Sequence, residues 1–123
     1  GYIMSNYYAN FTDLQINSLV VTNLKMKSLL TEKSILAYME SGYKTFDPCN
    51  NPADAMPIII KNNIDLLNGV NENLELCEHH SAYTLYDFKK PIVSDSLKSS
   101  KTIYRLAMEV YLMIKDAERE ANT

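Results

Sequence analysis

At 123 residues, with a formal net charge of −3 and an isoelectric point near 5.3, the chain reads as one domain (1–123) without the basic excess of a long nucleic-acid binder. A hydrophobic content of 46% speaks against disorder, and no apolar run approaches the ~20 residues of a membrane span. Two cysteines, Cys49 and Cys77, do not make a disulfide scaffold and suit reduced thiols in a cytosolic protein.

Met4 after Gly1-Tyr2-Ile3 is expected to be a native start behind a short cloning remnant, with no leader of signal-peptide type. Thr12-Asp13 is a natural N-cap pair, and Ile16, Leu19, Val20 and Leu24 recur at helical spacing, which predicts an amphipathic helix from 13 to about 27. Residues 28 to 50 are ambiguous: Ile35 to Met39 suit a strand or a helical turn, and Tyr43 to Phe46 a short strand after Gly42. A second helix starts where Asn51 caps and Pro52 occupies the first helical position, at which a missing N–H is harmless. Asp54 suits the dipole of its first turn, and Pro57 removes one interior hydrogen bond. Met56, Ile59, Ile60 and Ile64 or Leu66 would form its apolar face, with an end near Asn62-Asn63 and a turn at Gly69.

Between 72 and 89 the period changes to two, with Leu74, Leu76, Tyr83 and Leu85 alternating with polar neighbours around a hairpin or bulge at Glu78 to Ser81. Pro91 closes the second strand, and 93–101 reads as a polar connection. The strongest helix runs from Thr102 to Ala121. Ile103, Leu106, Ala107, Val110, Met113, Ile114 and Ala117 make its apolar face, which Tyr104, Met108, Tyr111 and Leu112 widen beyond the usual stripe. Such a helix wants cover on more than one side; a sheet and a second subunit would supply it, so a homo-oligomer is expected.

Three blocks, "FTDLQINSLV" (11–20), "CNNPADAMPIII" (49–60) and "IYRLAMEVYLMIKD" (103–116), resemble the NinX-like family of small tailed-phage proteins and related phage α/β/α-sandwich domains. The middle block is the most specific; the family usually has Trp where this chain has Met56, and the segment from about 25 to 45 is extra. The resemblance implies an α+β fold, a small antiparallel sheet with helices on both faces. Some phage proteins of similar architecture, including a Thoeris anti-defence protein, are sponges that oligomerise and sequester cyclic nucleotide or cyclic ADP-ribose-type immune signals. By analogy this chain would act without catalysis in the cytoplasm of the infected host, with no cofactor.

A nucleotide trap needs phosphate donors, a flat surface for the base and enclosure from water. Arg105 is the phosphate candidate, because it lies in the first turns of the last helix, where free N–H groups favour anions and a guanidinium adds bidentate donation. The plainer alternative is a surface i,i+4 pair with Glu109. Tyr83, Tyr86 and Phe88 are candidates to stack a base, or else simply pack in the core. Asn50 and Asn51 offer amides to ribose or base edges, although capping and turn duty also explain them. Lys25, with Lys27, is a candidate second cation. Cys49, Cys77, His79 and His80 have the number but not the spacing of a structural zinc site, so no metal is expected. With three glycines and no phosphate loop or nucleophile elbow, an enzyme is not expected either. The competing reading is an acidic phage adaptor that inhibits a host protein by direct contact.

Overall fold

In the computed structural model, residues 6–68, 80–85, 90–95 and 100–122 are described. Helix α1 spans Asp13–Asn23. Thr12 opens it with a capping box: its hydroxyl accepts the Gln15 N–H at 3.1 Å, and the Gln15 side chain accepts the Thr12 N–H at 2.8 Å. The helix stops short of the expected 27 because Lys25 takes a left-handed conformation, φ 58°, which ends an α-helix. The 28–50 ambiguity resolves into strands β1 (Ser28–Leu30), β2 (Ile35–Met39) and β3 (Gly42–Thr45). They form one antiparallel sheet in the order β1-β2-β3. Its inner face buries Ile35 and Ala37 in the core, so by alternation Tyr38 points outward.

Helix α2 (Pro52–Lys61) starts as its sequence requires, with the Asn51 side chain accepting the Ala53 N–H at 3.0 Å. Ile58 and Ile59 are buried, but Ile60, expected on the apolar face, is 69% exposed. Beyond Lys61 the chain turns through Asn63, φ 54°, into strand β4 (Asp65–Asn68). Leu66 therefore continues no helical face. Strands β5 (His80–Thr84) and β6 (Ile92–Asp95) complete a second antiparallel sheet, ordered β4-β5-β6. β6 occupies part of what read as a polar connection, and β5 ends at Thr84, before the expected stop at Pro91. The fold is thus of the expected α+β class with antiparallel pairing, the strands among the described residues being divided between two three-stranded sheets.

Helix α3 (Ile103–Ala121) runs through the middle, capped by Thr102, whose hydroxyl accepts the Arg105 N–H at 3.0 Å. Ten consecutive residues, Arg105 to Ile114, are buried, almost three turns on every side. The cover comes from its own chain: α1, α2 and the β4–β6 sheet all pack on it. Covering its broad apolar face therefore requires no second subunit.

Candidate functional site

The helix that was to clamp phosphate holds its arginine for an internal purpose. Arg105 is 3% exposed. Its Nε donates to Glu109 Oε2 at 2.7 Å and its Nη1 to Asp13 Oδ1 at 2.8 Å, while Nη2 donates to the carbonyls of Tyr8 at 3.0 Å and Phe11 at 2.6 Å. Burial alone would lower the guanidinium's pKa, but the hydrogen bond to Asp13 and the charge of Glu109 outweigh it, so the net shift is upward and the cation is kept. The Glu109 pairing expected on the surface exists, but it is buried.

Glu109, fully buried, also accepts from Lys101 Nζ at 2.9 Å, Ser94 Oγ at 2.8 Å and Asn6 Nδ2 at 2.6 Å. A buried carboxylate with this many donors is satisfied, and it ties the N-terminal loop, β6 and α3 together. The anion awaited by Arg105 is thus supplied by the chain itself. This corrects its expected role as an open phosphate clamp.

The "CNNPADA" stretch serves the same junction. Cys49 donates its N–H to Asn17 Oδ1 at 3.1 Å, its carbonyl accepts from the Thr102 hydroxyl, and its side chain is sealed in the core. Asn50 turns its amide onto the Asp13 and Asp47 carboxylates at 3.1–3.2 Å, and Asn51 caps α2. A cleft of about 230 Å³ beside them is lined by Asp13 and Asp47 as well as Lys33, so a phosphate entering it would meet two carboxylates. Arg105 and Asn50 do converge on Asp13, but as partners of that carboxylate.

Tyr83 lies elsewhere. Ser94 reaches Glu109 of α3 and stands opposite Ala82, so Ala82 faces α3 and its neighbour Tyr83 points to the other side of the sheet, away from Arg105. Tyr86 and Phe88, and likewise Cys77 and His79, lie outside the described residues. Lys25 is exposed in the turn after α1. Among the described residues no group of three or more His, Cys, Asp or Glu has the geometry to hold a metal.

What the sequence reading missed is the outer face of the β1–β3 sheet. Glu40 and Ser41 make a two-residue turn, which sets Tyr38 directly opposite Tyr43. The rings meet edge to face, centroids 5.3 Å apart, and Lys27 Nζ lies 5.8 Å from the Tyr38 centroid. Leu29, on the same face, is 50% exposed, and Tyr38 and Tyr43 are 46% and 38% exposed. The surrounding segment 25–45 carries Lys25, Lys27, Lys33 and Lys44 against Glu32 and Glu40, a local positive excess in an acidic chain. Alternation and the short turn were the available signals. Behind β1, Leu30 and the α1 side chains Leu14 and Leu19 join Phe11 around an apolar groove of about 300 Å³.

Compared with models of known families, with curated proteins and with solved structures, the chain matches none.

Proposed function

We propose that the chain is a non-catalytic binding protein that acts by direct contact with a protein partner through the outer face of the β1–β3 sheet. In the setting implied by the phage-like sequence blocks, that partner is a host protein which it inhibits or redirects. The observation that carries this reading is the exposed Leu29–Tyr38–Tyr43 surface with Lys27 at its edge. Tyrosines are rigid and amphipathic, and they recur as anchors at protein interfaces. An open sheet face fits a macromolecule better than a small ligand, which is normally enclosed over most of its surface.

Sequestration of a cyclic nucleotide signal is the second reading. Its support is the same tyrosine pair, which offers a stacking platform beside a lysine. Enclosing the ligand there would take a second copy laid over the sheet.

A photo-crosslinking side chain at position 43, with position 61 at the exposed end of α2 as control, tests the first reading in host extract. A discrete protein adduct from 43 alone, lost in Tyr38→Ser, is expected. Calorimetric titration with cyclic dinucleotides, trinucleotides and cyclic ADP-ribose isomers tests the second. Heat that Tyr38→Ser abolishes, with no adduct, would put sequestration first; neither signal would remove both.

A further inference from the structure

The geometry points to the free edge of β1, with the apolar groove beside it, as the docking site for an extended segment of a partner protein that alternates apolar residues and carries acidic flanks. This deepens, and rests on, the reading of the chain as a protein-contact module.

The edge itself specifies a strand. The Tyr38 N–H donates to the Lys27 carbonyl at 2.8 Å, and the Thr31 N–H donates to the Ser34 carbonyl at 2.9 Å. Hydrogen-bonded positions alternate along an antiparallel ladder, so Leu29, opposite Leu36, is bonded inward. Ser28 and Leu30 then turn their N–H and C=O groups away from β2. β1 is terminal in its sheet, and among the described residues no strand continues it. Those backbone groups match another extended chain, and neither a helix nor a nucleic acid supplies the same alternation.

The groove specifies what such a strand carries. Leu30 lies on the same face as Ile35, is 65% exposed, and forms the groove wall facing Phe11, Leu14 and Leu19. A strand paired to β1 would point every second side chain into that groove, which favours apolar residues there. The ends of β1 specify the flanks. Lys25 and Lys27 precede it and Lys33 follows; all are exposed, and none makes an ion pair among the described residues. Acidic flanks complement them. A second copy does not: antiparallel pairing of two β1 edges centred on Leu29 would set Lys25 of each copy opposite Lys33 of the other.

The probe is an end-blocked peptide of alternating valine and threonine between Asp-Glu ends, titrated into the full chain, with a Lys-ended version as control. Saturable binding is expected, with amide exchange at Ser28 and Leu30 slowed at least about tenfold and little change at Leu29. Leu30→Pro removes an outward N–H without breaking a β1–β2 bond, and weakens binding at least about tenfold. Lys25→Glu combined with Lys27→Glu weakens it as well and leaves the backbone edge intact. The exposed Leu30→Asp, which places a charge at the groove mouth, serves if the proline variant fails to fold.

The proposal is overturned by no binding of the acidic peptide, by equal binding of the Lys-ended one, or by binding that leaves Ser28 and Leu30 exchanging freely. It is overturned equally if those amides are already protected in a peptide-free dimer. Failure of the peptide with the position-43 adduct retained removes the edge and keeps the contact module; loss of both removes both.

Discussion

Replacing Arg105 by Met keeps the length and bulk of the stem and deletes the guanidinium. Four hydrogen bonds go with it, two to carboxylates and two to the Tyr8 and Phe11 carbonyls. Asp13, whose side chain is 47% exposed, can turn to water, and Glu109 keeps Lys101, Ser94 and Asn6. The two carbonyls and one face of a buried carboxylate are left short of partners. Breaking a buried pair from one side costs about 3–5 kcal/mol. That is a large part of the ~5–15 kcal/mol typical of a domain. With a urea slope of ~2 kcal/mol/M, the unfolding midpoint should fall by roughly 2 M. Arg105→Lys should recover less than half, because an ammonium cannot reach both carboxylates and both carbonyls in one plane. Equilibrium urea unfolding followed by circular dichroism measures both variants. A fall below about 0.5 M at unchanged slope would refute the structural role, since an arginine poised for a ligand leaves stability unchanged or improved when it is removed.

In a Cys77→Ser background, Cys49 should react with a thiol reagent roughly 10³-fold or more slower than in urea, because it is buried and its pKa is pushed up by burial first and the Asp13 carboxylate second. Native-state labelling as fast as in urea would contradict the buried placement. Tyr8 is also shifted upward, by burial and then by its hydrogen bond to Asp116. Folding therefore favours the protonated form of both groups: their stabilisation is complete below the ordinary thiol value of about 8.5 and is lost as pH rises through the elevated folded values. Urea midpoints should fall from pH 8 to 11, and Tyr8→Phe should flatten the part above about pH 10; a rising midpoint would reverse the sign. Glu40 holds φ 55° at the first turn position between β2 and β3, where a glycine is at ease. Glu40→Gly should stabilise by about 0.5–1 kcal/mol, seen as a higher melting temperature.

The parts readable from the chain were those decided by near neighbours. Thr12 and Asn51 each cap a helix through a backbone N–H two or three positions on, so their roles are visible in a few letters, whereas Thr102, expected as the first helical residue, is the cap just ahead of it. β4 and β6 escaped because four-residue strands carry too little alternation to stand out from polar connections. The tyrosine pair at 38 and 43 was within reach of local reasoning, but only once 35–39 was taken as a strand and Glu40-Ser41 as its turn.

The amino-acid order by itself determined a mixture of helices and strands, the three helix starts to within a residue and the apolar excess of the last helix, because periodicity and capping act over a turn or two. Only the tertiary structure decided what covers that helix and what neutralises Arg105. Its partners Asp13, Phe11 and Tyr8 stand 92, 94 and 97 positions away. Whether a charge meets solvent, a ligand or its own chain depends on desolvation and on contacts between distant segments, and these exist only once the core has closed.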